Sequence, residues 1–590
     1  MCGIIGYIGR KKAAPILLQG LKHLEYRGYD SVGIAIFCHG SISIKKDVGK
    51  VDEVNSKLNF IELEGNLGMA HNRWATHGAV TTKNAHPHAD CSGSIVVVHN
   101  GIIENYQTLK EQLILKGHVF KSETDTEIIP HLIEEEMRKG KKFVEAAKIS
   151  LKKLEGSYAL LVMHKDEDKL IAVRKRSPLV LGISDDEYFA ASDIPAFIEH
   201  TKKVVYLSDY DFVILTPKNF KIFNLLRQKP VKRKIDTIDW DAEQAKKGEF
   251  EHFMMKEIAE QADTVQRAFQ QDRRIIDNIV KEMKKAKGIF LIACGSSYHA
   301  CLAASYIFSE IAKYHVNVIL ASEFPHYEHF LTKDTLVIAV SQSGETYDVL
   351  EAVRAAKKRG SKVISIVNVM GSSLTRESDT FLMMHAGPEI CVLSTKTYTS
   401  QLTLLSLLAY ALAEKYEEGK KKLTYLWNVI YQLTSRTMRE KIKELAEILK
   451  DKEHVFCIGR GLQYATALEA ALKIKEVSYV HAEAFAGGEL KHGTIALIEK
   501  GTPCLVFVSE DNEKEILSNA IEIKSRGGYI IGISSKENEI FDFWIKVPES
   551  NTENAVLQII PIQILAYQLA VLRGCDIDHP RNLAKAVTVP

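Results

Sequence analysis

The chain has 590 residues, and 77 Lys and Arg against 75 Asp and Glu leave a formal charge of +2. Domains of roughly 100–200 residues make three or four units the expectation, and 46% hydrophobic with 26% charged residues excludes bulk disorder. A balance this close to neutral supplies no basic field for a nucleic-acid partner, and the longest strongly apolar run, Leu402 to Ala413, broken by Thr403 and Ser406, falls short of the roughly 20 residues of a membrane span.

In chain order, MCGIIGYIGR has no basic stretch followed by a long apolar one, so no secretory signal is expected. Residues 1 to about 235 carry short β-rich runs (Ile4–Ile8, Gly33–Phe37, Ile95–Val98) with helical patterns between them. In Pro15–Glu25 the leucines Leu17, Leu18, Leu21 and Leu24 fall at helical spacing. Strands with inserted helices predict a layered α+β, αββα unit. Residues 229–249 are charged and weakly periodic, and read as a linker that is helical in part. From about 285 the texture becomes strand, loop and helix in alternation. Apolar strands such as those in GIFLIACGSSYHA, TLVIAVSQSGETYD and SKVISIVN predict a parallel sheet covered on both faces.

That order recurs. HVFCIGRGLQYATALEAALKIKE, TPCLVFVSEDNEKE and RGGYIIGISS echo the earlier segments. Pairing Gly295 with Gly459, Ser341 with Ser509 and Gly360 with Gly527 gives offsets of 164, 168 and 167 by subtraction of the positions. The second half therefore reads as a duplicated α/β domain. The copies differ after the second strand. S-Q-S-G-E-T at 341–346 offers hydroxyls and backbone N–H groups at a helix start, suited to an anion. S-E-D-N-E-K at 509–514 places Glu510 and Asp511 where they would repel a phosphate. One phosphate site per chain is expected, although S-Q-S-G-E-T alone is equally a capped βα turn.

Cys2 follows the initiator Met. With Met1 removed, its α-amine, of pKa near 7.7–8.0, would serve as base for its own thiol; position 2 alone also fits an incidental cysteine on an edge strand. Arg73 could fork a carboxylate with Trp74 as an apolar lid. Asn100 and the Gly101 N–H could bind an oxyanion. Asp125, in a segment that resembles a capping box, could receive an ammonium. A side-chain amide such as that of glutamine satisfies all three. In LEAALKIKE, Glu469, Lys473 and Glu476 share one helix face, which suits a 1,2-proton shift and equally a solvated, ion-paired face. His71, His77, His86, His88 and His99 crowd one region with Cys91 without the i,i+4 spacing of a hydrolytic zinc helix, so no metal is expected. The nine cysteines form no C-x-x-C pair, which argues against a disulfide framework and for a reducing, cytoplasmic compartment.

Met1-Cys2-Gly3-Ile4-Ile5-Gly6, L-E-Y-R-G-Y-D-S at 24–31, R-W-A-T-H-G at 73–78, N-A-H-P-H at 84–88, H-N-G-I-I-E-N at 99–105 and S-E-T-D-T-E at 122–127 resemble the class II, N-terminal-nucleophile glutaminase domain. A-C-G-S-S-Y, S-Q-S-G-E-T, S-T-K at 394–396, H-A-E-A-F-A-G-G-E-L-K-H-G at 481–493 and P-R-N-L-A-K at 580–585 resemble the paired sugar-isomerase (SIS) domains of the glutamine–fructose-6-phosphate aminotransferases. The resemblance spans the chain. It implies a glutaminase over 2–235, a linker over 236–280 and isomerase domains over 281–425 and 445–590.

By that resemblance, Cys2 is the nucleophile, Arg73, Thr76, His77 and Asp125 hold glutamine, and Trp74 gates an ammonia channel. Asn100 and Gly101 form the oxyanion hole. Gly295, Ser296, Ser297, Ser341, Gln342, Ser343 and Thr346 take the sugar phosphate, while Val392 and Ser394 line the sugar. Lys585 forms an imine with the open ketose, Glu476 moves the C1–C2 proton, Lys473 assists, and His492 from a neighbouring subunit opens the ring. It further implies glutamine and fructose 6-phosphate as substrates, no cofactor, and a homodimer or higher oligomer through the isomerase domains. The family usually has Gly at Cys391, Pro at Thr494 and an acidic residue at Pro590; none is a proposed catalytic group. A non-catalytic sugar-phosphate regulator would dispense with Glu476, Lys585 and His492, and a plain isomerase or deglycase with Cys2, Arg73, Asn100 and Gly101. All are present.

Overall fold

Runs of alternating apolar residues in the first 240 positions form strands because each strand packs on two layers at once. The computed structural model describes residues 2–75, 77–238 and 246–589, which fall into two units: 1–245 with 584–590, and 246–583. The first unit has an eight-stranded and a six-stranded sheet. Strand Gly3–Ile8 pairs antiparallel with Leu67–Arg73 on one side and Glu187–Ala191 on the other, so Cys2 enters a central strand and not an edge. Its side chains alternate. Ile4 and Ile8 pack with Val96, Val98, Leu161 and Met163 of the other sheet, whereas Ile5 and Tyr7 pack with Leu17 and Leu21 of helix Ala13–His23. Beyond the six-stranded sheet, Ile95 and Val97 meet Ile129 and Ile133 of helix Ile128–Arg138. Helix, sheet, sheet, helix is the αββα order expected.

The second unit holds two five-stranded parallel sheets of one topology. In the first, strands Asn317–Leu320, Gly288–Ala293, Thr335–Ser341, Lys362–Val367 and Thr380–Met383 lie side by side in that order. In the second the order is His481–Ala486, His454–Gly459, Pro503–Phe507, Tyr529–Ser534 and Phe543–Lys546. The duplication is thus a repeat of strand order as well as of sequence. One pairing is corrected. Gly295, at φ +55, opens the helix after the first strand, and its counterpart in conformation is Gly461, at φ +56 ahead of helix Leu462–Ser478. The offset is then 461 − 295 = 166, closer to the other two.

Two further stretches differ from expectation. Within the presumed linker 236–280, helices Phe253–Ala259 and Gln261–Phe269 place Met254, Ile258 and Val265 in the core of the second unit. Among the described residues, the helix long and apolar enough for a membrane is 551–572, not the run at 402–413. Its mean hydropathy of 1.9 and length would suit a membrane, but 83% of that apolar window is buried inside the protein, as in a core helix.

Candidate active site

In the first unit the Cys2 thiol faces the Arg73–Trp74 segment. The Trp74 N–H donates to Cys2 Sγ at 3.3 Å, and the Trp74 carbonyl stands 3.4 Å from it. Two residues of L-E-Y-R-G-Y-D-S fix that segment. The Asp30 N–H bonds the Arg73 carbonyl at 2.9 Å while its carboxylate accepts from the Ala75 N–H at 2.7 Å. Gly28 lies so close that a Cβ there would sit 2.8 Å from both the Arg73 carbonyl carbon and the Trp74 nitrogen. The task of this motif, which its residue types do not announce, is to clamp the backbone that faces the thiol. Arg73 is only 3% exposed, and its guanidinium donates to the carbonyls of His77, Gly78 and Ala79, so it shapes its own loop. Thr76 lies outside the described residues.

Asn100 and Gly101 sit in strand Ile95–Ile103, and the Asn100 amide donates to the Cys2 carbonyl at 2.7 Å. Its Oδ1 is buried without a protein partner. Gly101 has φ +120, and a Cβ would meet the Ser157 carbonyl at 2.0 Å, so only glycine fits. Asp125 accepts from the Ile103 N–H at 2.8 Å and lies 4.0 Å from His99 Nδ1. The strand therefore brings Cys2, Asn100 and Asp125 into one neighbourhood. Burial raises the Cys2 thiol, with the Trp74 N–H and the Arg73 guanidinium pulling the other way. The net shift is upward, so the resting group is a thiol and needs a base.

The five-histidine grouping around Cys91 is not what the fold makes. His71 stacks on His86 at 4.0 Å, and His86 and His99 share the Thr126 hydroxyl. Burial keeps His71 neutral, down to about 3, and pushes His86 well below the usual range. Cys91 instead stands with His118, His131 and Glu134.

In the second unit the S-Q-S-G-E-T turn links strand Thr335–Ser341 to helix Tyr347–Lys358. Ser341 Oγ accepts from the Gly344 N–H and lies 3.1 Å from the Thr346 hydroxyl; Ser343 Oγ accepts from the Glu345 N–H. Gly344 has φ +64, and a Cβ would fall 2.2 Å from Ser372 Oγ. Gln342 and Ser343 are half-buried. In the second copy Ser509 donates to the carboxylate of Asp511. There the protein's own anion occupies the turn, which is the physical form of the expected asymmetry.

Lys473, from helix Leu462–Ser478, crosses between the copies. Its ammonium donates to Ser296 Oγ at 3.0 Å and the Ser394 carbonyl at 3.2 Å. It also lies 3.3 Å from Glu469 and 2.8 Å from Glu476. Glu469 in turn meets His299 Nδ1 at 2.8 Å. Burial opposes the charge on Lys473, but the two carboxylates outweigh it and raise its pKa. Burial likewise opposes Glu469, yet Lys473 and His299 hold its pKa below normal. Glu469 and His299 are functional candidates that the helix-face spacing only half announced. Ser297 is buried beside Ser296, and Val392 is 8% exposed, its N–H on the Asp578 carbonyl. His492 ends the 3₁₀ segment Gly487–His492, exposed. Lys585 falls in 584–590, which belong to the first unit, so it is not gathered with Glu476 within either unit.

An αββα core that carries Cys2 and a duplicated parallel sheet with one hydroxyl-rich turn are the architecture of a glutamine amidotransferase domain joined to paired SIS domains. The family model described as a glutamine amidotransferase domain matches residues 71–199, and that of the SIS domain matches 282–411 and 448–573. The chain is 47% identical to a glutamine–fructose-6-phosphate aminotransferase (isomerizing) of Thermococcus kodakarensis over 100% of both chains, and 47% identical to one of Pyrococcus horikoshii over 100% of both. A solved C-terminal domain of glucosamine-fructose-6-phosphate aminotransferase from Francisella tularensis aligns with TM-score 0.53 and 35% identity, covering 57% of this chain and 100% of that one. The chain belongs to the family of isomerizing glutamine–fructose-6-phosphate aminotransferases.

Proposed function

We propose that this enzyme transfers the amide nitrogen of glutamine to fructose 6-phosphate and isomerises the product, giving glucosamine 6-phosphate and glutamate. Within the family assignment, the observation that carries the reading is the Cys2 thiol, 3.3 Å from the Trp74 N–H with the Asn100 amide on its own carbonyl. The freed α-amine of Cys2 takes the thiol proton, and the thiolate attacks the glutamine side-chain amide. Asn100 turns from the Cys2 carbonyl to share the oxyanion with the Gly101 N–H. Arg73 holds the carboxylate, Asp125 the ammonium, and Thr76 and His77 complete the pocket. Ammonia leaves past Trp74, and water releases glutamate from the thioester.

In the second unit, Gly295, Ser296, Ser297, Ser341, Gln342, Ser343 and Thr346 hold the phosphate, with Val392 and Ser394 along the sugar. Lys473 is held as an ammonium between two carboxylates, which bars it from imine formation and favours Lys585 for that step. Glu476, 23% exposed in its side chain against 0% for Glu469, is the more accessible of the two carboxylates and carries the C1–C2 proton. His492 of a neighbouring copy opens the ring, so a homodimer or higher oligomer through the isomerase domains belongs to this reading. A glutaminase over 2–235, isomerase domains of which the first takes in the helices from Phe253, and a cytoplasmic location with all nine cysteines free complete it. No dissociable cofactor is needed, because the imine forms on a lysine.

The test is product analysis with both substrates. Glucosamine 6-phosphate should form, and Cys2→Ala should lose glutamine hydrolysis. Absence of the product in the wild type, with normal hydrolysis by Cys2→Ala, would refute the scheme. Borohydride trapping with the ketose should label Lys585; label elsewhere reassigns the imine.

A further inference from the structure

Away from the glutamine pocket, three segments of the first unit bring a thiol, two imidazoles and a carboxylate to one point. Cys91 lies in the turn between strands His88–Ala89 and Ile95–Ile103, and His118 follows helix Tyr106–Ile114. His131 and Glu134 share one face of helix Ile128–Arg138 at i, i+3. Cys91 Sγ is 3.8 Å from His118 Nδ1 and 3.5 Å from His131 Nδ1. The two Nδ1 atoms are 3.3 Å apart, and Glu134 Oε2 lies 3.1 Å and 3.3 Å from them. His118, His131 and Glu134 are buried and Cys91 half-buried.

These contacts lie within hydrogen-bond range, yet they gather one ligand-type atom from each of four residues at a single point. Each outer ring nitrogen faces a carboxylate: Glu135 lies 3.5 Å from His118 Nε2 and Glu127 lies 3.7 Å from His131 Nε2. Protons on the Nε2 atoms would leave both Nδ1 lone pairs aimed at the shared point. Two lone pairs, a carboxylate oxygen and a sulfur then face one another, with the Cys91 N–H on Glu134 Oε2 and the Arg138 guanidinium on its other oxygen. A cation resolves the repulsion. Tetrahedral zinc, with Zn–N near 2.0–2.1 Å and Zn–S near 2.3 Å, separates two nitrogens by about 3.3 Å and sulfur from nitrogen by about 3.6 Å. The distances here match.

We propose that Cys91, His118, His131 and Glu134 bind a structural divalent transition metal, zinc by ligand set and geometry. The thiolate and the carboxylate neutralise the dication, and the thiol proton passes to solvent on binding. With all four positions taken by protein, the site has no open place for a reacting water. Its effect is on a neighbouring loop. Glu127, 3.7 Å from His131 Nε2, accepts from the Lys121 N–H at 2.8 Å and from the Ser122 N–H and hydroxyl at 2.6 Å each. The metal thereby braces the segment that carries Asp125. Metal binding stands independently of the proposed function; only its effect on glutamine rests on that reading.

The experiment is elemental analysis of the full-length enzyme, made without a metal-affinity step, equilibrated with zinc and desalted. About one zinc per chain is expected, and cobalt exchange should give a near-ultraviolet thiolate-to-cobalt band that Cys91→Ser removes. Glu135→Gln should retain the fold and weaken zinc by about 10–100-fold, as loss of a partner behind a ligating histidine does. Wild-type protein free of zinc after equilibration overturns the proposal, and so does zinc content unchanged in both Cys91→Ser and His131→Asn. Stoichiometric zinc whose removal leaves the KM for glutamine unmoved refutes the bracing role alone.

Discussion

Replacing Lys473 with Met would strip the cation from a fully buried carboxylate. In the native protein Glu469 and Lys473 both have side chains at 0% exposure, 3.3 Å apart. Removing one partner of such a buried pair costs about 3–5 kcal/mol, because the other charge stays unsolvated. Here His299 remains on Glu469 at 2.8 Å, which places the expected loss toward the lower end. The pH dependence identifies the cause. In the wild type the Glu469 pKa is held down, so its contribution is present above the unfolded carboxyl pKa and lost as pH falls through the folded value. Without Lys473, the largest opposition to burial is lost and that pKa rises, against what His299 still supplies. Any stability linked to the protonated form is then present at low pH and lost as pH rises. The variant's deficit should thus be largest near pH 8 and shrink by pH 5, read as the denaturant midpoint of the second unit's transition at each pH. Adding Glu469→Gln should restore much of the loss. A deficit that is the same at both pH values and persists in the double variant would place the cost in packing and refute the charge argument.

Three shorter tests address the two sites. Glutamine hydrolysis should rise with pH to a plateau governed by the Cys2 α-amine near 7.7–8.0, because burial leaves the thiol protonated; blocking Met1 removal should abolish it, with intact mass as the check on processing. Gly101→Ala, with φ +120 and a clash at the Ser157 carbonyl, should cost about 1–3 kcal/mol and eliminate glutaminase activity while leaving fructose 6-phosphate binding, measured by calorimetry, in place. Gly344→Ala, at φ +64 against Ser372, should raise the KM for fructose 6-phosphate at least tenfold without changing glutamine hydrolysis; an unchanged KM would remove the turn from the phosphate site.

Much of the architecture was legible because it depends on near neighbours. Strand alternation in Ile4–Ile8, the heptapeptide-scale face of Glu469, Lys473 and Glu476, and the recurring strand–turn–helix order each follow from periodicities of two or 3.6 residues. The contrast between S-Q-S-G-E-T and S-E-D-N-E-K was likewise readable from charge alone, and the Ser509–Asp511 bond gives it a physical form. The three helices within 253–285 carry the same helical period, as in Ile276, Ile279 and Met283, but nothing in it says which sheet they cover.

What the chain determined by itself, then, was its local elements, its duplication and the chemical types of its candidate site. Which distant residues meet was decided by sheet register and helix placement. Asp30 and Gly28 reach the thiol's backbone only because strand Ser31–Cys38 pairs with Leu67–Arg73. Lys473 reaches Ser296 only because the two copies pack on each other. Cys91 left the histidines nearest it in sequence for His118 and His131, 27 and 40 residues away. Sequence spacing constrains directions along one element; convergence of side chains from separate elements is a property of how those elements stack, and no local period encodes it.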